Sequence, residues 1–206
     1  MNESAKIRLG ISIGDLNGIG SEVALKTFAD SRMMEFCTPV IFASNKTISQ
    51  VINTLKLNIN FNGVKELKKI IDGKINVVNV WQEQAEIKFG ETTDIAGKYA
   101  LRSLKAAVEA LKKNQIDVLV TAPISKSNIQ SEDFKFPGHT DFLAETFQSD
   151  SLMFMVTDDF KIGLMTDHVA VKDIAEVITA ELVKEKIAKM IDSLERDFAV
   201  RKPKIA

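Results

Sequence analysis

Residues 7–21 read Ile-Arg-Leu-Gly-Ile-Ser-Ile-Gly-Asp-Leu-Asn-Gly-Ile-Gly-Ser, and this stretch decides the fold class. Ile7, Leu9, Ile11 and Ile13 alternate with Arg8, Gly10, Ser12 and Gly14, the period of a β-strand. Glycine then punctuates the chain from Gly14 to Gly20, as it does in turns. A helix is expected over 21–29, with Ser21 placed to cap its free amides. Strand, glycine turn and helix in that order open a β-α-β unit.

The same alternation continues outward. Residues 39–44 form a second apolar strand, and Asn45 caps a helix reaching 55. A short helix is expected over 64–71, stopping at Gly73, and a third strand over 75–80. The clearest helix covers 92–114. Gly97, Leu101, Leu104, Val108 and Leu111 share one of its faces, and Lys98, Arg102, Lys105, Glu109 and Lys112 the other. Gly97 on the apolar face allows a close approach to the sheet. A further buried strand is expected at 116–120. Then come a loop at 134–138, a helix over 140–148, a strand over 152–156, a turn at 157–159 and a returning strand over 161–166. One short helix (171–177) and a long final helix follow, the latter burying Val183, Ile187, Met190, Ile191, Leu194 and Phe198. Residues 202–206 read as the start of another strand. The expected fold is therefore α/β: a mixed, largely parallel sheet with helices on both faces. No repeat, low-complexity tract or linker interrupts it.

The chain has 206 residues, enough for one large domain or two small ones at roughly 100–200 residues each. Basic and acidic residues balance at 27 and 28, so no cationic excess exists to collect nucleic-acid phosphates. The single cysteine, Cys37, makes an internal disulfide impossible and fits a cytoplasmic location. It reads as a small buried hydrophobe. No apolar run reaches transmembrane length.

Four polar clusters fall just beyond the carboxyl ends of expected strands, where open α/β sheets hold their ligands. The first is the turn with Gly14, Gly18 and Gly20, which offers backbone amides and a helix N-terminus to an anion. It lacks both the P-loop Lys-Ser/Thr and the G-x-G-x-x-G spacing, and Asp15 opposes a phosphate. It also reads as a tight turn that needs glycine. The second is Thr121-Ala-Pro-Ile-Ser-Lys126, whose Lys126 can hold a phosphate or carboxylate, or simply face solvent. The third, Pro137-Gly-His139-Thr140-Asp141, opens a helix with an imidazole and a hydroxyl that suit an anionic substrate; Thr140 also reads as a plain cap. The fourth ends the returning strand. Phe160, Ile162, Leu164, Thr166 and His168 share a face by parity, which places His168 at the mouth of the sheet as a metal donor or as a solvated side chain.

In this order, the segments Ile11-Ser-Ile-Gly-Asp-Leu-Asn-Gly-Ile-Gly20, Val120-Thr-Ala-Pro-Ile-Ser-Lys126, Pro137-Gly-His-Thr-Asp-Phe142 and Leu164-Met-Thr-Asp-His168 resemble the 4-hydroxythreonine-4-phosphate dehydrogenase family of pyridoxal phosphate biosynthesis. The resemblance covers essentially the whole chain. It implies a homodimer with a fold like isocitrate and isopropylmalate dehydrogenases. It implies oxidation of a phosphorylated amino acid by NAD or NADP, with loss of carbon dioxide. It also implies a divalent metal (zinc, cobalt or magnesium) held by three histidines from two subunits. His168 matches the first of these, and His139 and Thr140 match a substrate-binding pair. The family's other two metal histidines, in Asn-Pro-His and His-Asp-Gln-Gly segments, have no counterpart in this sequence. The expectation is thus an N-terminal part, truncated at the C-terminus, comprising one α/β domain and part of a second, and inactive as a free fragment. Three alternatives stay open: a dehydrogenase of another phosphorylated hydroxy acid such as a threonate phosphate, a non-catalytic module that binds a phosphometabolite, and a phosphate acyltransferase.

Overall fold

The computed structural model describes residues 6–206. They form two compact units, one reaching to His139 and the other spanning Thr140–Ala206.

The first unit runs β1 (Ile7–Ser12), α1 (Gly20–Ala29), α2 (Met33–Phe36), β2 (Cys37–Ala43), α3 (Asn45–Thr54), β3 (Phe61–Val64), β4 (Ile75–Asn79), α4 (Asp94–Lys112) and β5 (Val118–Thr121). The strands lie in the order β3-β4-β2-β1-β5, and every neighbouring pair is parallel. Such a sheet must bury both faces, because crossover helices pack on each side. Ile11, Ile41 and Val77 fall in register across three strands. They pack with Leu25 and Phe28 of α1 and Ile48 and Val51 of α3. On the opposite face Val40, Phe42 and Val78 meet Ala107 and Ala110 of α4. Alternation in β1 is therefore large against small, with both sides covered. A Cβ on Gly10 would overlap the Ile116 side chain and lie 3.3 Å from the Phe42 ring.

Several expectations need correction. The segment expected as a helix over 64–71 is instead β3 followed by a single 3-10 turn at Leu67–Lys69. The cause is distant in sequence: Asn76 of β4, fully buried, bonds both the N–H (2.9 Å) and C=O (3.0 Å) of Ile71 and the Lys74 carbonyl (2.9 Å). Those groups are taken by a side chain, so no i→i−4 ladder forms. Ser44 rather than Asn45 caps α3, accepting from Thr47 N–H at 3.1 Å. Ser21 caps nothing; Ile19 is the N-cap of α1, and Ser21 Oγ is buried without a partner among the described residues. β5 is a sheet edge rather than an interior strand, with Val118 and Val120 about half exposed.

The second unit contains α5 (His139–Phe147, starting at the unit boundary), β6 (Phe154–Val156), β7 (Lys161–Gly163), α6 (Ile174–Val177) and α7 (Ala180–Arg196). β6 and β7 form the expected antiparallel hairpin, as a two-stranded sheet of their own. The chain thus combines parallel and antiparallel pairing. The hairpin leans on α7: a Cβ on Gly163 would sit 3.4 Å from Met190 Sδ, and the Phe154 and Phe198 rings meet edge-on at 5.8 Å. Met190 and Leu194 are the buried residues of α7, while Ile191 is 38% exposed and off that face. Residues 202–206 form no strand. No helix among the described residues is long and apolar enough to cross a membrane.

Candidate active site

The glycine turn is shaped by close backbone approach. Gly14 sits at φ +69°, and a Cβ there would come within 2.9 Å of the Ala122 carbonyl. On Gly20 it would lie 2.8 Å from Ala122 Cβ. Gly18 has ordinary room, 3.5 Å to Asp15 O. The segment after β5 is thereby pressed against the turn after β1, as neighbouring strands of a parallel sheet require.

Three amides of this turn are committed. Asp15 N–H donates to Pro123 O (2.9 Å), Gly18 N–H to Asp15 O (3.1 Å) and Asn17 N–H to Asp15 Oδ1 (2.8 Å). Asp15 is 7% exposed, and its second oxygen accepts from Asn128 Nδ2 at 2.7 Å. Of the three glycines read as an anion-binding turn, only Gly18 has its N–H committed by these bonds. What the turn does border is a cleft of about 330 Å³, walled by Asp15, Asn17, Gly18 and Ile19, by Gly90–Thr92, and by Pro123–Ser125.

Sequence reasoning passed over the partners that build this cleft. The connection 80–93, between β4 and α4, has no regular structure. It is rooted by Trp81, 2% exposed, whose Nε1 donates to Thr47 Oγ1 at 3.2 Å and whose ring meets Tyr99 at 4.8 Å. Arg102 lies over both rings at 5.6 and 5.2 Å and pairs with Glu83. Hydrogen bonds from its own backbone amide, then from Arg102 and Tyr99, hold the Glu83 carboxyl down at about 2. Gly97 does make a close approach, but to Asn128 in the loop after β5 rather than to the sheet.

The sequence-derived site residues fall as follows. Lys126 is exposed in the loop after β5. Its Cε would lie 3.9 Å from a Cβ on Gly138, so the second and third clusters are neighbours. His139 and Thr140 are the first residues of α5, both half-buried. His139 Nε2 and, two residues on, Asp141 Oδ2 are buried without hydrogen-bond partners among the described residues. Such orphaned atoms call for a ligand or water. Burial pushes the His139 imidazole below its usual 6.5, which favours its neutral form. His168 does not continue a strand: β7 ends at Gly163, and His168 stands exposed in a bend at φ +53°. The parity argument for its direction therefore fails. No group of three His, Cys, Asp or Glu among the described residues is placed to hold a metal ion.

The depressed His139 pKa has a consequence for stability. The unfolded chain takes up this proton near pH 6.5 while the folded chain resists it. Stability therefore falls as pH drops below about 6.5, toward the lower folded value. His139→Gln is expected to flatten that slope in urea unfolding at stepped pH. A slope indifferent to the substitution contradicts the buried imidazole.

The family of pyridoxal phosphate biosynthetic proteins PdxA matches residues 35–206. The chain belongs to the PdxA family. A PdxA-type relative, the 4-hydroxythreonine-4-phosphate dehydrogenase of Bacteroides thetaiotaomicron, is 41% identical over 206 residues, 99% of this chain and 57% of that protein. A Clostridium botulinum protein provisionally named a D-threonate 4-phosphate dehydrogenase is 29% identical, over 91% of this chain and 58% of its own length. Among solved structures, a 4-hydroxythreonine-4-phosphate dehydrogenase from Burkholderia phymatum superposes with a TM-score of 0.81 at 25% identity, over 93% of this chain and 59% of that one. The chain thus spans less than two thirds of these PdxA-like proteins.

Proposed function

We propose that the native protein carrying this chain is a dehydrogenase that oxidises 4-phosphooxy-L-threonine (4-hydroxythreonine 4-phosphate) at its C3 hydroxyl, in the cytoplasm, within pyridoxal phosphate biosynthesis. The hydroxyl proton leaves, a hydride passes from C3 to NAD or NADP, and the resulting β-keto acid loses carbon dioxide to give 3-amino-2-oxopropyl phosphate. The PdxA match across 35–206 carries this reading, and the 41% identity to the Bacteroides dehydrogenase supports its substrate.

The nicotinamide, when bound, accepts the hydride; the chain's own groups bind and orient. His139, neutral and with a free ring nitrogen, offers the substrate a hydrogen bond without a charge. Thr140 beside it adds a hydroxyl at a helix N-terminus. Lys126 supplies a cation for a phosphate or carboxylate group. The described residues form no complete dinucleotide cradle: the cleft is small and the Asp15, Asn17 and Gly18 amides are committed. Nor do they form a metal site, since His168 is a single exposed donor where three or four are needed. A divalent ion (zinc, cobalt or magnesium) would take its remaining ligands from outside them, as from the partner subunit of a homodimer. The isocitrate/isopropylmalate type of architecture belongs to the same proposal.

The Clostridium relative favours a second reading, with D-threonate 4-phosphate as substrate. Initial rates of nicotinamide reduction with both compounds decide between them. The first reading expects kcat/KM at least about tenfold higher for the amino substrate, because a site built to pair the ammonium group leaves polar atoms unpaired without it. The reverse order assigns the threonate phosphate. Binding of either compound without turnover contradicts both and makes the protein a phosphometabolite-binding module.

A further inference from the structure

The geometry points to Asn17 as a positioning residue: it holds the strap 88–93 as the wall of the cleft at the carboxyl edge of the sheet, where an uncharged, hydroxyl-bearing part of a ligand such as the cofactor ribose is received. This rests on the dehydrogenase reading for its ligand, though not for its geometry.

Asn17 is 4% exposed and uses both ends of its amide on the strap. Oδ1 accepts from Lys88 N–H at 2.8 Å, and Nδ2 donates to Glu91 O at 2.9 Å and to Thr93 Oγ1 at 3.0 Å. Its backbone carbonyl accepts from Gly90 N–H at 2.9 Å. The strap has no ladder of its own, so these bonds decide where Gly90, Glu91 and Thr92 stand. Thr93 closes the arrangement. It caps α4 by accepting from Ala96 N–H at 3.3 Å, and its carbonyl accepts from Asn128 Nδ2 at 2.9 Å. Asp15 fixes the other side, holding Asn17 N–H and Asn128 Nδ2 on its two oxygens. Three chain segments distant in sequence, the turn at 15–17, the strap 88–93 and the loop at Asn128, are thus tied together beside the cleft, with Asn17 holding the strap.

The chemistry of the cleft selects the ligand part. Asp15 and Glu91 both line it, and the Asp15, Asn17 and Gly18 amides are already bonded. A phosphate would meet two carboxylates there. Ile19, Pro123 and Ile124 offer apolar contact, and carboxylate or carbonyl oxygens can accept from hydroxyls, as an acidic residue does for a ribose in dinucleotide sites.

The test uses Asn17→Ala and Asn17→Asp in the native protein, with three readouts. Hydrogen exchange at the Lys88 amide should quicken at least about tenfold in Asn17→Ala and recover in part in Asn17→Asp, whose side chain still accepts there. Emission of Trp81, the sole tryptophan and the root of the connection, should shift to the red in Asn17→Ala. The KM for NAD or NADP should rise about tenfold with kcat within about threefold, the mark of lost uniform binding. Unchanged Lys88 exchange in a folded Asn17→Ala protein overturns the positioning role. Faster exchange with an unchanged cofactor KM overturns the ligand assignment. If the wild-type protein reduces no nicotinamide, the dehydrogenase reading and the ribose assignment fall together, while the exchange result still decides the positioning role.

Discussion

Gly97→Ala is expected to destabilise the first unit by about 2 kcal/mol net, against the usual direction for this exchange. In an ordinary helix interior, glycine to alanine gains about 1 kcal/mol, because glycine loses more backbone freedom on folding. Gly97 lies in the first turn of α4, buried against the loop after β5. A Cβ there would overlap the Asn128 carbonyl group and sit 2.9 Å from Asn128 Oδ1. Backbone cannot swing aside as a side-chain tip can, so α4 or the loop must shift, and overpacking of this kind costs about 1–3 kcal/mol or more. Asn128 also holds Asp15 and Thr93, so the shift would loosen the cleft as well. Urea unfolding gives the measurement. Gly90→Ala is the control: its φ is +83° with open space around it, so only the backbone cost of about 1–2 kcal/mol applies. A Gly97→Ala midpoint at or above wild type contradicts the close approach.

The second large effect concerns His168. With the metal role proposed above, His168→Ala and His168→Asn are each expected to lower metal-dependent turnover at least about 10²-fold, with bound metal lost in step. Stability should hardly change. His168 is exposed and makes no hydrogen bond among the described residues, and its left-handed φ of +53° is one that asparagine adopts readily. Full turnover and full metal content in His168→Asn would remove the residue from the site.

How much of this was legible in the sequence differs element by element. The β1–turn–α1 unit is written locally: isoleucines at period two, then a run of glycines, of which Gly14 is barred from a side chain by the Ala122–Pro123 backbone and Gly20 by Ile13 O and Ala122 Cβ. α4 is legible for the same reason, with apolar residues at helical spacing and Thr93 as its cap. β3 is hidden, because Asn76 takes the backbone groups that a helix over 64–71 would have used. A side chain reaching back from the next strand leaves no local mark. The candidate site divides in the same way. Glycine, proline and histidine marked the loops at the strand ends. Asn17 gave no signal, since an asparagine in a turn is ordinary and its partners lie more than seventy residues away. Strand parity gives His168 a direction that lapses once β7 ends at Gly163.

We propose that the native protein carrying this chain is a decarboxylating dehydrogenase of phosphorylated hydroxythreonine. The most direct measurement is a product balance on the native protein with 4-phosphooxy-L-threonine and NAD or NADP. The account predicts equal amounts of reduced nicotinamide, carbon dioxide and 3-amino-2-oxopropyl phosphate. Bound substrate with no reduced nicotinamide, or nicotinamide reduced without matching carbon dioxide, would contradict it.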